Sequence, residues 1–124
     1  MHNYKELQIW QRSRELVKDI YHLTEVFPDT ERFGLVTQMR RSSVSIPSNI
    51  AEESGKSSNK DFIRFLEMAR SSAFELETQL ILAHDLRFIS EEKLSDLQGK
   101  LEEIQKMIFG FEKKIKFQKI EHES

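Results

Sequence analysis

Residues 40–55, RRSSVSIPSNIAEESG, decide how many helices this 124-residue chain contains. The surrounding sequence reads as long amphipathic helix, but here Pro47 sits among five serines, behind Arg40 and Arg41. A loop at this point would split the chain into five short helices, and a tolerated proline would leave four long ones. A polar row decides between them. Gln38, Arg41 or Ser42, Ser45, Ser48 or Asn49, and Glu52 recur at 3-and-4 spacing straight through Pro47, which is helical period. Leu35, Met39, Val44, Ile46, Ile50 and Ala51 spread around the other sides. The pattern predicts one helix kinked near Pro47. The proline removes a backbone donor and crowds the Ser43 carbonyl, at a cost of ~3 kcal/mol, and nearby hydroxyls can serve the freed groups. The alternative is a true break, with Asn49 capping a short second piece through Glu52.

Working outward, the second helix spans about 31–54, with Gly55 placed to close it in a left-handed conformation. A first helix precedes it over about 4–26, opened by an Asn3/Glu6 capping box and closed by FPDT at 27–30. Its inward face is read as Leu7, Trp10, Val17, Ile20 and Tyr21, widened by Leu16 and Leu23. The third helix starts after KSSN with Ser58 and Asp61 as its cap, and buries Phe62, Phe65, Leu66, Ala69, Ala73, Leu76, Leu80 and Ala83. Ser90 caps the fourth, where Glu91 and Glu92 suit the positive end of the helix dipole. Leu94, Leu97, Leu101, Ile104, Ile108, Phe111 and Ile115 then step by 3 and 4 without a miss. Short connections favour antiparallel neighbours. The expectation is all-α: a single up-down-up-down four-helix bundle over residues 1–124, with an ordered core at about 4–117 and a frayed tail at 118–124.

Composition agrees and excludes several functions. Charged residues make up 32% and apolar residues 38%, a balance suited to amphipathic helices. Four glycines and two prolines are too few for the turns of an all-β fold. With no cysteine there is no disulfide or thiolate metal site, as in a reducing cytoplasm, the expected location. The N-terminus lacks a signal-peptide pattern and no apolar run is long enough to span a membrane. A net charge of −2 and a pI near 6.1 are not those of a globally basic nucleic-acid binder.

No constellation for catalysis stands out. The four histidines, at 2, 22, 84 and 122, are not linked to a nucleophile motif. A single Asp19-x-x-His22 has no counterpart of the kind that dimetal bundles need. There is no glycine-rich phosphate loop. The expectation is a non-enzyme without metal, cofactor or small-molecule substrate.

Three groups of residues remain. The polar row of helix two faces Arg70, Ser72, Glu75, Glu77 and Gln79 of helix three. It predicts a structural network of Gln38, Arg41, Ser45, Asn49, Glu52, Glu75, Glu77 and Gln79, with an ion pair from Arg41 to Glu75 or Glu77. Basic residues form two clusters, Arg40 and Arg41 with Lys56, Lys60 and Arg64 near the helix two to three turn, and Lys113, Lys114, Lys116 and Lys119 at the end of helix four. Candidate nucleic-acid contacts are Arg40, Lys56, Lys60, Arg64, Lys113, Lys114 and Lys116; the alternative is a solvated charged surface. Finally, Phe74, Ile81 and Phe88 form a second apolar row on helix three, and Met107 and Phe109 lie outside the main seam of helix four. They read either as a broad core face or as a subunit interface.

The segments LQIWQRS (7–13), FPDTERFGLVTQMRRSSVSIPSNIAEES (27–54) and FIRFLEMARSSAFELETQLILAHDLRFIS (62–90) stand in this order. With them the chain resembles the four-helix-bundle family of 23S rRNA intervening-sequence proteins over about residues 4–117. The stretch Ser45-Ile-Pro-Ser-Asn-Ile-Ala-Glu52 and the later ELETQL (75–80) are the most specific parts of the likeness. The resemblance implies antiparallel bundles that assemble into toroidal homopentamers. Some such proteins are encoded inside insertions in bacterial 23S rRNA genes. A related branch, the accessory proteins of diversity-generating retroelements, forms basic pentameric barrels that bind nucleic acid and a reverse transcriptase; this slightly acidic chain departs from that branch in charge. The implied partners are further copies of the chain, and RNA or a nucleic-acid enzyme such as a reverse transcriptase. The alternative is a scaffold with protein partners only.

Overall fold

The computed structural model describes residues 3–53 and 58–123. Four α-helices carry the fold: α1 (Gln8–Thr24), α2 (Leu35–Glu53), α3 (Asn59–Asp85) and α4 (Glu91–Glu123). Short 3-10 turns, Tyr4–Glu6 and Asp29–Glu31, precede α1 and α2. There is no strand among the described residues.

Helix ends follow local chemistry, with differences from the sequence reading. Ser58 accepts from the Asp61 N–H and Ser90 from the Lys93 N–H, each serving a donor left free in a first turn. Asn3 instead accepts from Lys5, so it caps the 3-10 turn and α1 begins later than expected. The DTE turn likewise delays α2 to Leu35. Gly55, read as the close of α2, lies outside the described residues. α4 is helical through Glu123, beyond the expected start of a frayed tail.

The α2 backbone is continuous across Pro47, so the alternative of a break is excluded. Asn49 does not cap a second piece. Its side-chain amide donates back one turn to the Ser45 carbonyl and hydroxyl, at 2.8 and 3.0 Å. Ser43 is buried and donates to the Arg40 carbonyl at 2.8 Å. These bonds go to the Ser45 and Arg40 carbonyls, on either side of the Ser43 carbonyl whose usual backbone donor Pro47 removes.

The end of α3 is a Schellman turn. Arg87 adopts φ 66°, its N–H reaches the His84 carbonyl, and the Phe88 N–H reaches Ala83, at 2.9 and 2.8 Å. No glycine occupies this left-handed position.

Each helix packs against two others, in the cyclic order α1, α2, α3, α4, so α1 and α3 are diagonal, as are α2 and α4. Cross-links give the directions. Ser42 meets Gln79 while Ser45 meets Ser72, so α2 and α3 run antiparallel. Arg70 meets Glu112 while Glu67 meets Lys116, and Asp19 meets Lys100 while Arg12 meets Glu103. Hence α4 opposes both α3 and α1.

The core holds Leu16, Ile20, Met39, Ile46, Ile50, Leu66, Leu76, Leu80, Leu101, Ile104 and Ile108, all sealed from solvent. Burying each such side chain favours folding by ~1.5–3 kcal/mol. The stripes read for α3 and α4 face this core. On α1 the face is rotated from the one read. Ile9, Ser13, Leu16, Ile20 and Thr24 are buried, while Trp10 and Val17 are half-buried and Tyr21 is exposed. Ser13 and Thr24 can sit inside because their hydroxyls donate to the carbonyls of Ile9 and Ile20; a polar residue thereby occupies a core position that apolar counting skips.

Candidate interaction surfaces

The polar row of α2 forms a seam with α3. Ser42 Oγ lies 2.7 Å from Gln79 Oε1, and the Gln79 amide donates to Glu75 at 3.3 Å. Ser72 Oγ meets Ser45 Oγ at 2.8 Å, and Asn49 joins through Ser45. Where the sequence left Arg41 or Ser42 open, Ser42 is the residue turned to α3. One helical step of about 100° carries Arg41 outward. Arg41 is exposed and makes no ion pair with Glu75 or Glu77, contrary to the expectation, and Gln38 is exposed as well. Glu52 is exposed and has a partner of its own. Every hydroxyl and amide in the seam except the exposed ends is held by a neighbour, which suits register rather than chemistry.

The main ion pair of the interior was not read from the sequence. Arg70 Nε and Nη2 grip the two Glu112 carboxylate oxygens at 2.8 and 3.2 Å. The Glu112 side chain is 1% exposed and that of Arg70 30%. Glu112 follows Phe111 in the seven-residue repeat, and 108-to-112 is as good a helical step as 108-to-111. That spacing was the available signal.

Of the exposed large apolar side chains, which also include Val26, Phe33, Met68, Leu82, Leu86 and Phe117, two groups lie along helix–helix edges. Phe74 and Ile81 of α3 and Phe109 of α4 are 40% to 50% exposed. They share the outer α3/α4 edge: Phe74 lies four residues after Arg70, which itself stands over the Phe109 ring at 5.3 Å. Lys113 approaches the same ring at 5.4 Å. Two residues assigned to this set sit elsewhere. Phe88 is half-buried against Phe27, ring centroids 5.3 Å apart, because the left-handed turn at Arg87 ends the helical period that its spacing assumed. Met107 is half-buried beside Leu7 and Ile9 at the α1/α4 seam.

The second surface lies on the α1/α2 side. Tyr21 and Val44 are each 40% exposed. Trp10 and Val17, seven and four residues apart along the same edge of α1, are half-buried. Arg40 of α2 covers the Tyr21 ring at 4.5 Å and bonds Thr24 Oγ1 at 2.9 Å, which fixes this edge toward α2. Sequence reasoning missed this face because it placed Tyr21 and Val17 in the core.

The basic residues regroup. Arg40 is bound to α1 near the start of α2, some 20 Å along the helix from the turn where it was expected to join Lys60, at 1.5 Å per residue. Lys60 and Arg64 at the start of α3 instead share one bundle end with Lys113, Lys114 and Lys116 at the end of α4, as the Glu67–Lys116 pair at 3.8 Å shows. All five are exposed. Lys56, and the side chain of Lys119, lie outside the described residues. The opposite end carries Glu25, Asp29, Glu31, Asp85, Glu91 and Glu92.

Open grooves run along the α1/α4 seam; one near Asp19, His22, Asp96 and Lys100 has a volume of about 460 Å³. Lys100 bridges Asp19 at 3.0 Å and Asp96 at 3.6 Å, and the hydrogen bond to Asp19 raises its pKa above the usual 10.5. No group of three or more histidine and acidic side chains suited to a metal ion occurs among the described residues. None of the described helices is long and apolar enough to cross a membrane.

Comparison with known proteins accords with this architecture. No curated protein matches the chain. A solved structure of a protein of unknown function from the S23 ribosomal protein family of Bacteroides thetaiotaomicron superposes with a TM-score of 0.79 at 28% identity, covering 85% of this chain and 98% of that one. The family model described as 23S rRNA-intervening sequence protein matches residues 5–110. The match takes in α1, α2, α3 and most of α4, including the seam around Pro47, and the chain belongs to the 23S rRNA-intervening sequence protein family.

Proposed function

We propose that the protein is a non-enzymatic interaction module that works as a self-assembled ring, five copies by the family likeness, whose basic bundle end is offered to RNA or to a nucleic-acid-processing partner. The observation that carries the reading is the pair of apolar surfaces on opposite sides of a bundle whose core is already filled. In the cyclic order of helices, the α1/α2 edge and the α3/α4 edge face away from each other. Contiguous exposed apolar surface on a water-soluble protein marks association. Two distinct surfaces on opposite sides favour head-to-tail contact, which closes into a ring when the rotation allows.

The RNA part of the reading is supported by Lys60, Arg64, Lys113 and Lys114, which share one end and have no carboxylate partner among the described residues. Repetition around a ring would multiply their field, and binding through phosphates would weaken steeply with salt. The non-enzymatic part is supported by the self-contained hydrogen bonding of the seam and by the placing of His22 on α1 and His84 on α3, apart from any nucleophile motif.

Size exclusion with light scattering, recording absorbance at 260 and 280 nm, tests both parts. A particle of about 74 kDa, five copies of a 14.7 kDa chain, supports the ring. Nucleic-acid absorbance that high salt strips away supports the RNA-holding role. Protein-like absorbance with no salt-sensitive RNA binding leaves a scaffold for protein partners. A 14.7 kDa particle rejects the assembly.

A further inference from the structure

The two most exposed large apolar side chains among the described residues lie off the helix–helix edges. Val26 is 82% and Phe33 87% exposed, and both stand in the α1–α2 connection. Leu86, in the α3–α4 connection, is 55% exposed. The two connections meet at one end of the bundle, where Phe27 packs against Phe88 with ring centroids 5.3 Å apart. Val26 precedes Phe27 and Leu86 lies two residues before Phe88, so both flank this contact. The backbone that carries Phe33 is held by its own turns. The Glu31, Arg32 and Gly34 N–H groups donate to the carbonyls of Pro28, Asp29 and Glu31 at 2.8, 3.1 and 3.0 Å. The Thr37 hydroxyl donates to the Arg32 carbonyl at 2.6 Å, and the Arg32 guanidinium stands over the Phe33 ring at 5.5 Å. An aromatic side chain on backbone ordered in this way gives up little conformational freedom on binding.

The same end is acidic, and its cations do not offset the acids. Glu25, Asp29, Glu31, Asp85, Glu91 and Glu92 stand in the two connections and the helix ends beside them, against Arg32, Arg87 and Lys93. None of these carboxylates pairs with a cation among the described residues. Two of them are placed against the helix dipole. Glu25 is the C-cap of α1 and Asp85 the last residue of α3, where free carbonyls already carry partial negative charge and a base is the stabilising choice. Each directly precedes an exposed apolar residue, Val26 or Leu86. Negative charge is thus kept beside apolar surface at a cost to the isolated chain, and a cation brought to this place relieves it.

We propose that this end of the bundle docks a cationic, amphipathic segment of a partner protein, its apolar side chains on Val26, Phe33 and Leu86 and its lysine or arginine groups at Glu25 and Asp85. The excess of carboxylates repels phosphate, which disfavours nucleic acid and anionic lipid here. The site goes beyond the assembly and RNA readings and does not depend on either. It lies at the end opposite Lys60 and Lys113, and off both helix–helix edges.

Fluorescence anisotropy with the full chain tests it, using a labelled amphipathic peptide of leucine and lysine and its leucine–glutamate counterpart. The lysine peptide should bind at least about tenfold more tightly than the glutamate peptide. Val26→Ser/Phe33→Ser should raise its dissociation constant at least about tenfold, as loss of an aromatic anchor does. Glu25→Lys/Asp85→Lys should do the same, since like charges then meet. Glu15→Lys/Glu102→Lys, which shifts the net charge equally at sites away from this end, should stay within about threefold. All the substituted positions are exposed, and far-UV circular dichroism checks that each variant is folded. Equal weakening by the two charge reversals overturns the proposal, because the attraction is then to the overall charge of the chain. So do binding that Val26→Ser/Phe33→Ser leaves unchanged, equal binding of the two peptides, and no binding of the lysine peptide. Particles that grow with concentration in light scattering, and cease to grow in Val26→Ser/Phe33→Ser, also overturn it, since the occupant is then a second copy. A monomeric chain that binds the lysine peptide in the expected pattern rejects the ring and keeps the docking end.

Discussion

Replacing Arg70 with methionine is the sharpest test of how this bundle is held. The Glu112 carboxylate is 1% exposed and receives two hydrogen bonds from a single guanidinium. Removing one partner of a fully buried pair costs ~3–5 kcal/mol, because the other charge is left unpaired in a poor solvent. Arg70 is 30% exposed, so in its absence water reaches part of the way to Glu112. The expected loss is therefore at the lower end, ~3 kcal/mol, with a little of it due to the Phe109 contact. Glu112→Gln keeps an acceptor and leaves a cation that water can reach, and should cost ~1–2 kcal/mol. The double variant Arg70→Met/Glu112→Leu removes both charges and refills the space, so it should fall within ~1 kcal/mol of wild type. Urea unfolding at one fixed protein concentration measures all three, the fixed concentration holding any assembly contribution constant. If Arg70→Met loses less than ~0.5 kcal/mol, or if the double variant is as weak as Arg70→Met, the ion pair does not act as described.

Three further outcomes follow from local geometry. Arg87→Gly relieves a left-handed residue at the end of α3; with the entropy lost to glycine set against it, stability should rise ~0.5–1 kcal/mol, read as a few degrees in Tm. A fall would mean that the Arg87 side chain makes a contact worth more than the strain. Gly99→Ala adds a Cβ that meets nothing within 4 Å, so it should stabilise by ~1 kcal/mol as a simple helix-propensity gain; lost assembly in this variant would place Gly99 in an interface. Lys100 has a pKa raised above 10.5 through Asp19 and Asp96, so its contribution is fully present below the unfolded-state pKa and disappears as pH rises through the folded one. Asp19→Asn should therefore flatten the stability decline above about pH 10.5, by a small amount because the pair is exposed, and an unchanged alkaline limb in urea titrations would exclude the bridge.

How much could be read in advance varied by helix, for a definite reason. On α3 and α4 each buried face has one polar member, Gln79 and Glu112, beside an otherwise apolar stripe, so counting by 3 and 4 found it. On α1 two buried positions are Ser13 and Thr24, whose hydroxyls bond their own helix. Counting apolar residues then rotated the face toward Tyr21 and Val17 and concealed a whole candidate surface. In α2 the row of polar residues was legible, but not its member at each ambiguous step. Ser42 against Arg41 depends on the angle at which α2 meets α3. Phe88 fell off its predicted row because Arg87 breaks the helical phase just before it.

The sequence alone determined that the chain is all-helical, with four helices and with Ser58 and Ser90 starting two of them, and its polar row favoured Pro47 inside a helix, which the structure then decided against a break. These are properties of spacing along one chain. Tertiary structure alone decided the Arg70–Glu112 pair, the gathering of Lys60, Arg64, Lys113, Lys114 and Lys116 at one end, and the placing of the α1/α2 and α3/α4 edges on opposite sides. Each joins residues tens of positions apart, so each depends on which helices are neighbours and in which direction they run. A helical period fixes which residues share a face, but only packing fixes what that face meets.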